Sequence, residues 1–173
     1  MKHTLCTAAC AAAVVATLGL APAMAGSPRD FLKDAIKGDN SEIMLGKLGE
    51  RRAATPAGRD FAQTLVADHS RARSEAVRLA RRLHVRPPLG PQKEALEARR
   101  HLSRLSGWSF DREFARYMVQ DHQSDIAKFR KEADAGRGAT SALAQRQLPT
   151  LHKHLDMAQR LNARFARYTQ RQP

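Results

Sequence analysis

The 173-residue sequence contains only two cysteines, Cys6 and Cys10, and both lie within its first 25 residues. Those residues place Lys2 before a compact apolar run that ends in APAMA. This order is typical of a secretory signal peptide, and the small residues predict cleavage after Ala25. The remainder, residues 26–173, is predicted to form one domain. Because that domain lacks cysteine, we expect no disulfide, thiolate metal site or cysteine nucleophile.

The sequence also lacks a second long apolar run. The first run is short for a transmembrane anchor, and polar sequence follows it directly. A lipoprotein signal using Cys10 is the other alternative, but this cysteine is very close to the N-terminus and Thr7 stands where an aliphatic residue is preferred. We therefore expect export to the periplasm by a cleaved signal, with association with the outer membrane left open.

Acidic and aromatic residues are scarce. There are 17 acidic against 30 basic residues, a net charge of +13, and aromatic residues make up 5% of the sequence. Such a surface attracts anions, so anionic envelope lipids or lipopolysaccharide are candidate partners. The alternative is that the arginines simply form solvated helix faces. No aromatic residues alternate with the arginines, and nucleic acid is not an expected partner; the oligomeric state is not indicated.

Strand-like alternation is absent, and a period near 3.6 predicts an all-α fold. Four long helices are predicted over about 29–52, from 57 to the prolines of HVRPPLGP, from about Ser109 to AGRG, and over 140–168, with a short helix at 92–105. Ser109 is a predicted N-cap with Asp111 in the first turn, and Pro149 is expected to kink or interrupt the last helix.

Each long helix has one apolar stripe, and burying the stripes predicts a four-helix bundle with a short extra helix between the second and third long helices. That short helix spans about 20 Å. The second and third long helices can then run parallel, as in ferritin-like folds. A simple up-down-up-down bundle is the alternative.

Every stripe includes one side chain able to bind a metal. The repeated segments FAQTLVADHS and FARYMVQDHQ place His69 and His122 at buried positions, and the other two stripes contain Glu42 and His154. Isolated buried charges are costly, so we expect the four groups to converge. One carboxylate and three imidazoles suit one ion of zinc, iron, manganese or copper. A purely structural polar layer without metal is the alternative.

Further residues are predicted to support this site. Asp68 and Asp121 precede the repeated histidines and are candidate acceptors for ring N–H groups, or else exposed ion-pair partners. Met118 and Met157 share an inward face with a histidine; they are candidate soft ligands that favour copper, or ordinary core residues. The remaining histidines of the predicted domain are expected at the surface: His84, His101 and His152.

Four segments in this order, SEIMLGKLG, FAQTLVADHS, LSGWSFDREFARYMVQDH and LPTLHKHLDMA, resemble a bacterial exported family known as domain of unknown function 4142. The resemblance covers about residues 29–165. It implies a ferritin-like bundle, and members are often labelled outer-membrane proteins. It also adds Asp111 to the supporting residues. The motif positions of the resemblance are Glu42, Asp68, His69, Asp111, Asp121, His122 and His154.

The patterns of several enzyme classes are missing. No Glu-x-x-His occurs, although di-iron bundles use this motif on two helices. No Ser-His-Asp or paired-carboxylate arrangement can be argued, and no catalytic residue is assigned. We therefore expect a single metal held for sequestration, buffering or stress protection, in a protein that is not clearly an enzyme. The alternative is a basic envelope-binding module whose polar core is structural.

Overall fold

The computed structural model describes residues 27–136 and 138–169, with side chains up to residue 165. In this part of the chain there are five α-helices and no strand, as the sequence predicts. The helices are α1 (Pro28–Arg52), α2 (Pro56–Arg82), α3 (Lys93–Leu102), α4 (Gly107–Asp134) and α5 (Ala139–Thr169). The signal peptide predicted over residues 1–25 lies outside the described residues.

The helix ends follow local capping chemistry. The hydroxyls of Ser27 and Thr55 cap α1 and α2, each directly before a proline that suits the first helical position. The predicted cap at Ser109 is wrong, because α4 begins two residues earlier at Gly107, with Ser106 as N-cap. Gly107 has a φ of 58°, a conformation that a glycine adopts without steric cost. The chain can therefore enter the helix before Ser109.

The helices pair as two hairpins. Residues 53–55 join α1 to α2 and residues 135–138 join α4 to α5, and these short links make each pair antiparallel neighbours. The hairpins meet through contacts of α2 with α5 and of α1 with α4. Four long helices thus surround a common interior, which is the predicted bundle.

The repeated segments face each other across the bundle interior at matching heights on α2 and α4. The rings of Phe61 and Phe114 are 5.9 Å apart, and so are those of His69 and His122. Corresponding residues meet at two successive levels, so α2 and α4 run parallel. The parallel alternative is therefore the one observed, and it explains why the chain has a long connection between these helices.

The connection over residues 83–106 returns along the bundle and is fixed to α1. The Asn40 amide donates to the carbonyl of Gly90 at 3.1 Å, and the Ser41 hydroxyl accepts from the Gln92 amide at 2.9 Å. The short helix α3 packs on α1 and α4. Beyond it, α5 continues through Pro149 as one helix, so the predicted interruption does not occur.

Apolar side chains fill the bundle on both sides of a polar layer. One cluster, which includes Phe61, Phe110 and Phe114, occupies the end where α2 and α4 begin. Two further clusters, around Leu32 and around Phe129, occupy the opposite end. The residues between them include the buried polar groups Glu42, His69, His122 and His154. The fold therefore places the predicted site residues at mid-height.

Candidate metal centre

Three histidines from three helices meet inside the bundle. Ring centroids are 5.9 Å apart for His69 and His122, 5.1 Å for His69 and His154, and 5.3 Å for His122 and His154. Each histidine offers one ring nitrogen that lies within 4.8 Å of a nitrogen of the other two. All three side chains are buried. We call this group the histidine triad.

One nitrogen of each ring is held by a protein acceptor. His69 Nδ1–H donates to Asp39 Oδ1 at 2.9 Å, and His122 Nδ1–H donates to the backbone carbonyl of Met118 at 2.9 Å. His154 Nε2–H donates to Asp68 Oδ2 at 2.8 Å. Metal-binding histidines almost always have such an outer acceptor, which sets the tautomer and fixes the ring. The acceptors therefore leave one lone pair on each ring.

The remaining nitrogens are His69 Nε2, His122 Nε2 and His154 Nδ1, and none has a hydrogen-bond partner among the described residues. Burial lowers the pKa of His69 to about 4. Burial and the neighbouring imidazoles lower the pKa of His122 to about 3 and of His154 to about 4. The rings are thus neutral near pH 7. Three lone pairs face a shared interior, an arrangement that a cation would stabilise.

Glu42 belongs to a second group that adjoins the triad. One atom each of Glu42, Asp121 and His122 lie within 4.8 Å of one another. Glu42 is 1% exposed, and within the described part of the chain neither of its carboxylate oxygens has a hydrogen-bond partner. Burial, followed by the charges of nearby carboxylates, raises the pKa of Glu42 well above its usual value. The carboxylate therefore lies beside the triad, with His122 common to both groups.

Two more acids extend this carboxylate group, and sequence reasoning did not assign them to the site. Asp39 lies one turn before Glu42 on α1, and Asp125 lies one turn after Asp121 on α4. Burial raises the pKa of Asp39, although Arg73 opposes the shift. Burial and the charge of Asp121 raise the pKa of Asp125 to about 6, with Lys128 opposing. Asp39 could have been found from the sequence, because it lies three residues before Glu42 and therefore on the same face of the predicted helix.

The structure places Asp68 and Asp121, two of the predicted supporting residues, in different roles. Asp68 is an acceptor for a ring N–H, but for that of His154 and not of its neighbour His69. Burial raises its pKa, but hydrogen bonds from Lys153 and His154 outweigh this and lower it to about 2. Asp121 does not accept the His122 N–H, which donates to the Met118 carbonyl. Asp121 lies beside Glu42 instead. Asp68 therefore remains an anionic acceptor near neutral pH, while Asp121 is itself a possible ligand.

Asp111 does not belong to the site. Its carboxylate accepts hydrogen bonds from the Ala54 amide at 2.8 Å, the Thr55 amide at 2.9 Å and the Thr55 hydroxyl at 2.6 Å. Along α4 it lies about 16 Å from His122, at 1.5 Å per residue. The prediction that Asp111 lies in the first turn of α4 is also wrong, because that turn contains no acidic residue. Its role is to hold the link between α1 and α2.

The two methionines lie with the apolar core at the end where α2 and α4 begin. Met118 is fully buried in that cluster, and Met157 is partly buried against it. Their surroundings favour the core interpretation, although Met118 also supplies the carbonyl that holds His122. The three histidines expected at the surface are exposed: His84, His101 and His152.

A cleft of about 620 Å³ leads from the surface to one side of the triad. Its inner wall includes Asp39, Asp68 and His69, and its outer wall includes Arg71 and Arg146. Arg71 is bound to Asp68 and Arg146 to Glu75, so both guanidinium groups have acidic partners. The cleft gives solvent an approach to the layer that holds the histidines.

The fold and the site define an all-α bundle with a buried layer of histidines and carboxylates. The chain belongs to the family described as domain of unknown function (DUF4142), whose family model matches residues 14–161. No curated protein and no solved structure shows significant similarity to it. Among the described residues, no helix is long and apolar enough to cross a membrane.

Proposed function

We propose that the protein is an exported metal-binding bundle that holds one transition-metal ion at the histidine triad, for sequestration, buffering or protection against metal stress. The ligands are His69 Nε2, His122 Nε2 and His154 Nδ1. Asp39, the Met118 carbonyl and Asp68 orient these rings. Three imidazoles without thiolate suit zinc, copper or iron, and manganese is the weakest candidate of the four.

One observation carries the proposal: each ring has an outer acceptor on one nitrogen and an inward nitrogen without a partner in the described part of the chain. A purely structural histidine normally uses its polar atoms in hydrogen bonds. Three such nitrogens on three different helices, in a triad whose rings each bring one nitrogen within 4.8 Å of the other two, are better explained by a shared cation.

The arrangement also suits reversible binding. A tetrahedral ion with bonds of about 2.1 Å separates its ligands by about 3.4 Å, so small rotations of the rings would complete the site. Neutral imidazoles need not release a proton before they bind. Three protein ligands leave a fourth position for water or an incoming ligand. The cleft beside His69 is the natural route by which an ion would enter and leave.

The direct test is metal stoichiometry on protein purified without a histidine tag. The metal-free protein is titrated with Zn²⁺, Cu²⁺, Fe²⁺ and Mn²⁺ in turn, and bound metal is measured by calorimetry and by mass spectrometry after gel filtration. We expect one tightly bound ion per chain with zinc or copper. The variant His69→Ala with His154→Ala should lose it, with affinity reduced at least about 1000-fold.

The matched control replaces two exposed histidines, His101→Ala with His152→Ala, and should bind like the wild type. Circular dichroism checks that both variants keep their helices. Substoichiometric metal in the wild type under all loading conditions would defeat the proposal. So would equal losses in the two double variants, because binding would then be a property of surface histidines.

A second function is favoured by the surface of the crossover. Leu96, Arg99, Arg100 and Arg104 surround a surface cavity on α3 and its C-terminal end, and Leu89 nearby in sequence is 88% exposed. Arginines next to exposed apolar side chains suit the headgroup region of an anionic lipid surface or lipopolysaccharide. This function would be independent of metal.

Vesicle binding distinguishes the second function. Flotation with phosphatidylglycerol vesicles at low salt should retain the wild type, and 0.5 M NaCl should release it. Arg99→Gln, Arg100→Gln and Arg104→Gln together should abolish retention. The control Arg51→Gln, Arg81→Gln and Arg82→Gln removes the same charge from other exposed positions. If both triple variants weaken vesicle binding equally, the binding is nonspecific attraction to the basic surface. If 0.5 M NaCl does not release the wild type, the binding is not electrostatic.

A further inference from the structure

Acidic side chains outnumber basic partners in the carboxylate group beside the triad. Glu42 on α1 lies beside Asp121 on α4, and the charges of Asp39 and Asp125 also raise the Glu42 pKa. Within the described residues the ion-pair partner of this group is Lys128, which binds Asp125 Oδ1 at 2.9 Å. Arg73 lies near Asp39, but its Nε donates to Asn40. The basic surface of the protein thus leaves this interior region acidic.

Glu42 is the group that most needs an explanation. It is 1% exposed, and neither of its oxygens has a hydrogen bond of normal geometry in the part of the chain that the structure describes, although the Asp121 carboxyl is near enough to raise the Glu42 pKa. Asp39 Oδ2 is buried and likewise without a partner there. Burying an unpaired carboxylate lowers the folding stability by roughly several kcal/mol, so we expect a proton or a cation to compensate its charge.

The histidine triad does not supply that compensation. Its three inward nitrogens are lone-pair acceptors and offer no proton to a carboxylate. His122 has a single free nitrogen, because its Nδ1–H is used by the Met118 carbonyl. One lone pair binds one ion, so an ion held by His122 in the triad leaves the oxygens of Glu42 without a cation. Asp121, beside Glu42, has the Tyr117 side chain as a hydrogen-bond partner.

We propose a second cation site, formed by the carboxylates of Glu42 and Asp121, next to the histidine triad. Oxygen ligands from carboxylates suit a divalent cation that favours oxygen, of which Mn²⁺ is a practical probe. The layer would then hold two different ions side by side, one on nitrogen and one on oxygen. This goes beyond the single ion proposed above and shares only the neighbourhood of His122 with it.

The second site has its own approach from solvent. Asp121 lines a surface cavity of about 680 Å³ beneath the crossover, together with Gln92 and Ser124. The cleft that borders His69 has a different lining, with no residue in common among those described. Three lysines, Lys37, Lys93 and Lys128, line this cavity together with the acids Asp34, Glu94 and Asp121, and the ammonium of Lys128 is engaged by Asp125. An ion could therefore reach Asp121, the neighbour of Glu42, without displacing one from the triad.

The test titrates Mn²⁺ into protein that already holds one equivalent of Zn²⁺, and it follows free Mn²⁺ by electron paramagnetic resonance. We expect one Mn²⁺ bound per chain with no zinc released. The isosteric variant Glu42→Gln with Asp121→Asn should bind Mn²⁺ at least about 10-fold more weakly while its zinc stoichiometry stays at one. The control Glu97→Gln with Asp156→Asn makes the same changes at exposed positions and should bind both ions like the wild type.

The outcomes separate the two proposals. Zinc binding without Mn²⁺ binding overturns the second site alone, and so does an unchanged Mn²⁺ affinity in the Glu42 and Asp121 variant. If that variant loses zinc as well, Glu42 is a ligand of the triad ion and the second site is again wrong. Mn²⁺ binding that persists in His69→Ala with His154→Ala, in which zinc no longer binds, supports two separate sites. Mn²⁺ binding by a wild type that binds no zinc supports the second site and removes the first.

Discussion

Individual hydrogen bonds decide which atoms of the polar layer point inward. The acceptor carboxylates on His69 and His154 come from different helices, Asp39 on α1 and Asp68 on α2. His122 uses the carbonyl one turn earlier on its own helix. These contacts choose the tautomer of each imidazole, and the tautomer determines whether a lone pair or a proton faces the interior. Metal affinity should therefore depend on residues that do not touch the ion.

Asp39→Ala tests that dependence. Loss of the acceptor frees the His69 ring to rotate and to change tautomer, and we expect zinc affinity to fall about 10- to 100-fold with the stoichiometry still one. A competition assay with a chromophoric chelator measures the change. Asp60→Ala, at an exposed position on α2, is the control and should have no effect. An unchanged affinity for Asp39→Ala would show that the hydrogen bond does not orient the ring.

Asp111 stabilises the fold through a different set of hydrogen bonds. It satisfies two amides and one hydroxyl at the link between α1 and α2, and it is fully buried. We expect Asp111→Ala to lower the free energy of unfolding by about 3 kcal/mol, because several hydrogen bonds to a charged acceptor are lost together. Urea unfolding of the metal-free protein measures this value.

The control for Asp111→Ala is Asp156→Ala, which breaks an exposed ion pair with Arg160 one turn away. Its effect should stay below about 0.5 kcal/mol. Zinc affinity should be unchanged in both variants. A large loss of zinc affinity in Asp111→Ala, with its helices intact, would show that Asp111 supports the metal site after all.

Not all residue roles could be predicted from sequence. His69, His122, His154 and Glu42 were found because helical periodicity alone places them at buried positions. Asp111 was misassigned because its partners lie more than 50 positions away in the chain, at a link whose geometry periodicity does not describe. The acceptor of His122 is a backbone carbonyl, which has no sequence signature at all.

At the scale of helices, close approach of α1 to α2 and α4 depends on glycine. A Cβ atom at Gly49 would lie 2.8 Å from the Ala62 Cβ and 3.0 Å from the Phe114 Cζ. The Ala62 Cβ is fixed to the backbone of α2, so it can move only with its helix. Near Gly49, helices α1 and α2, which carry Glu42 and His69, are therefore too close to each other to admit a side chain at this position.

Gly49→Ala should destabilise the protein by about 1–2 kcal/mol. Overpacking costs about 1–3 kcal/mol, and the better helix propensity of alanine returns part of it. The control is Gly90→Ala, where a Cβ would meet no described atom within 4 Å, and its effect should stay within about 1 kcal/mol of wild type. Chemical denaturation of the metal-free protein measures both. Equal stabilities for the two variants would mean that α1 and α2 can separate at no cost.

The helices themselves could largely be predicted, because apolar stripes, capping residues and prolines are local signals. The predicted start of α4 was two residues too late. Ser109 resembled an N-cap, whereas the helix begins at Gly107, which has a positive φ. The parallel alignment of α2 and α4 remained one of two alternatives. Only the contacts between the repeated segments decide it, and those contacts are not local.

At the scale of the whole molecule, the polar layer divides the apolar interior into two ends. An unoccupied layer of this kind is a weak region, since it brings together lone pairs and carboxylates that repel one another. A bound cation would convert the three histidines into a link among α2, α4 and α5. Metal binding and folding stability should therefore be coupled.

Zinc should raise the melting temperature of the metal-free protein. Free ion at 100 times the dissociation constant adds about 2.7 kcal/mol, which corresponds to roughly 5–10 °C for a domain of this size. Differential scanning calorimetry measures the shift, and a chelator should reverse it. In His154→Ala the shift should vanish whatever that variant's own melting temperature is. A shift of the same size in His154→Ala would place the stabilising ion elsewhere.

The most direct measurement is the anomalous diffraction of crystals grown with zinc, recorded on both sides of the zinc absorption edge. The account predicts one strong peak inside the bundle at about 2.1 Å from His69 Nε2, His122 Nε2 and His154 Nδ1. Fully occupied peaks only at exposed histidines such as His101 or His152, with the three inward nitrogens still facing one another around no ion, would contradict it.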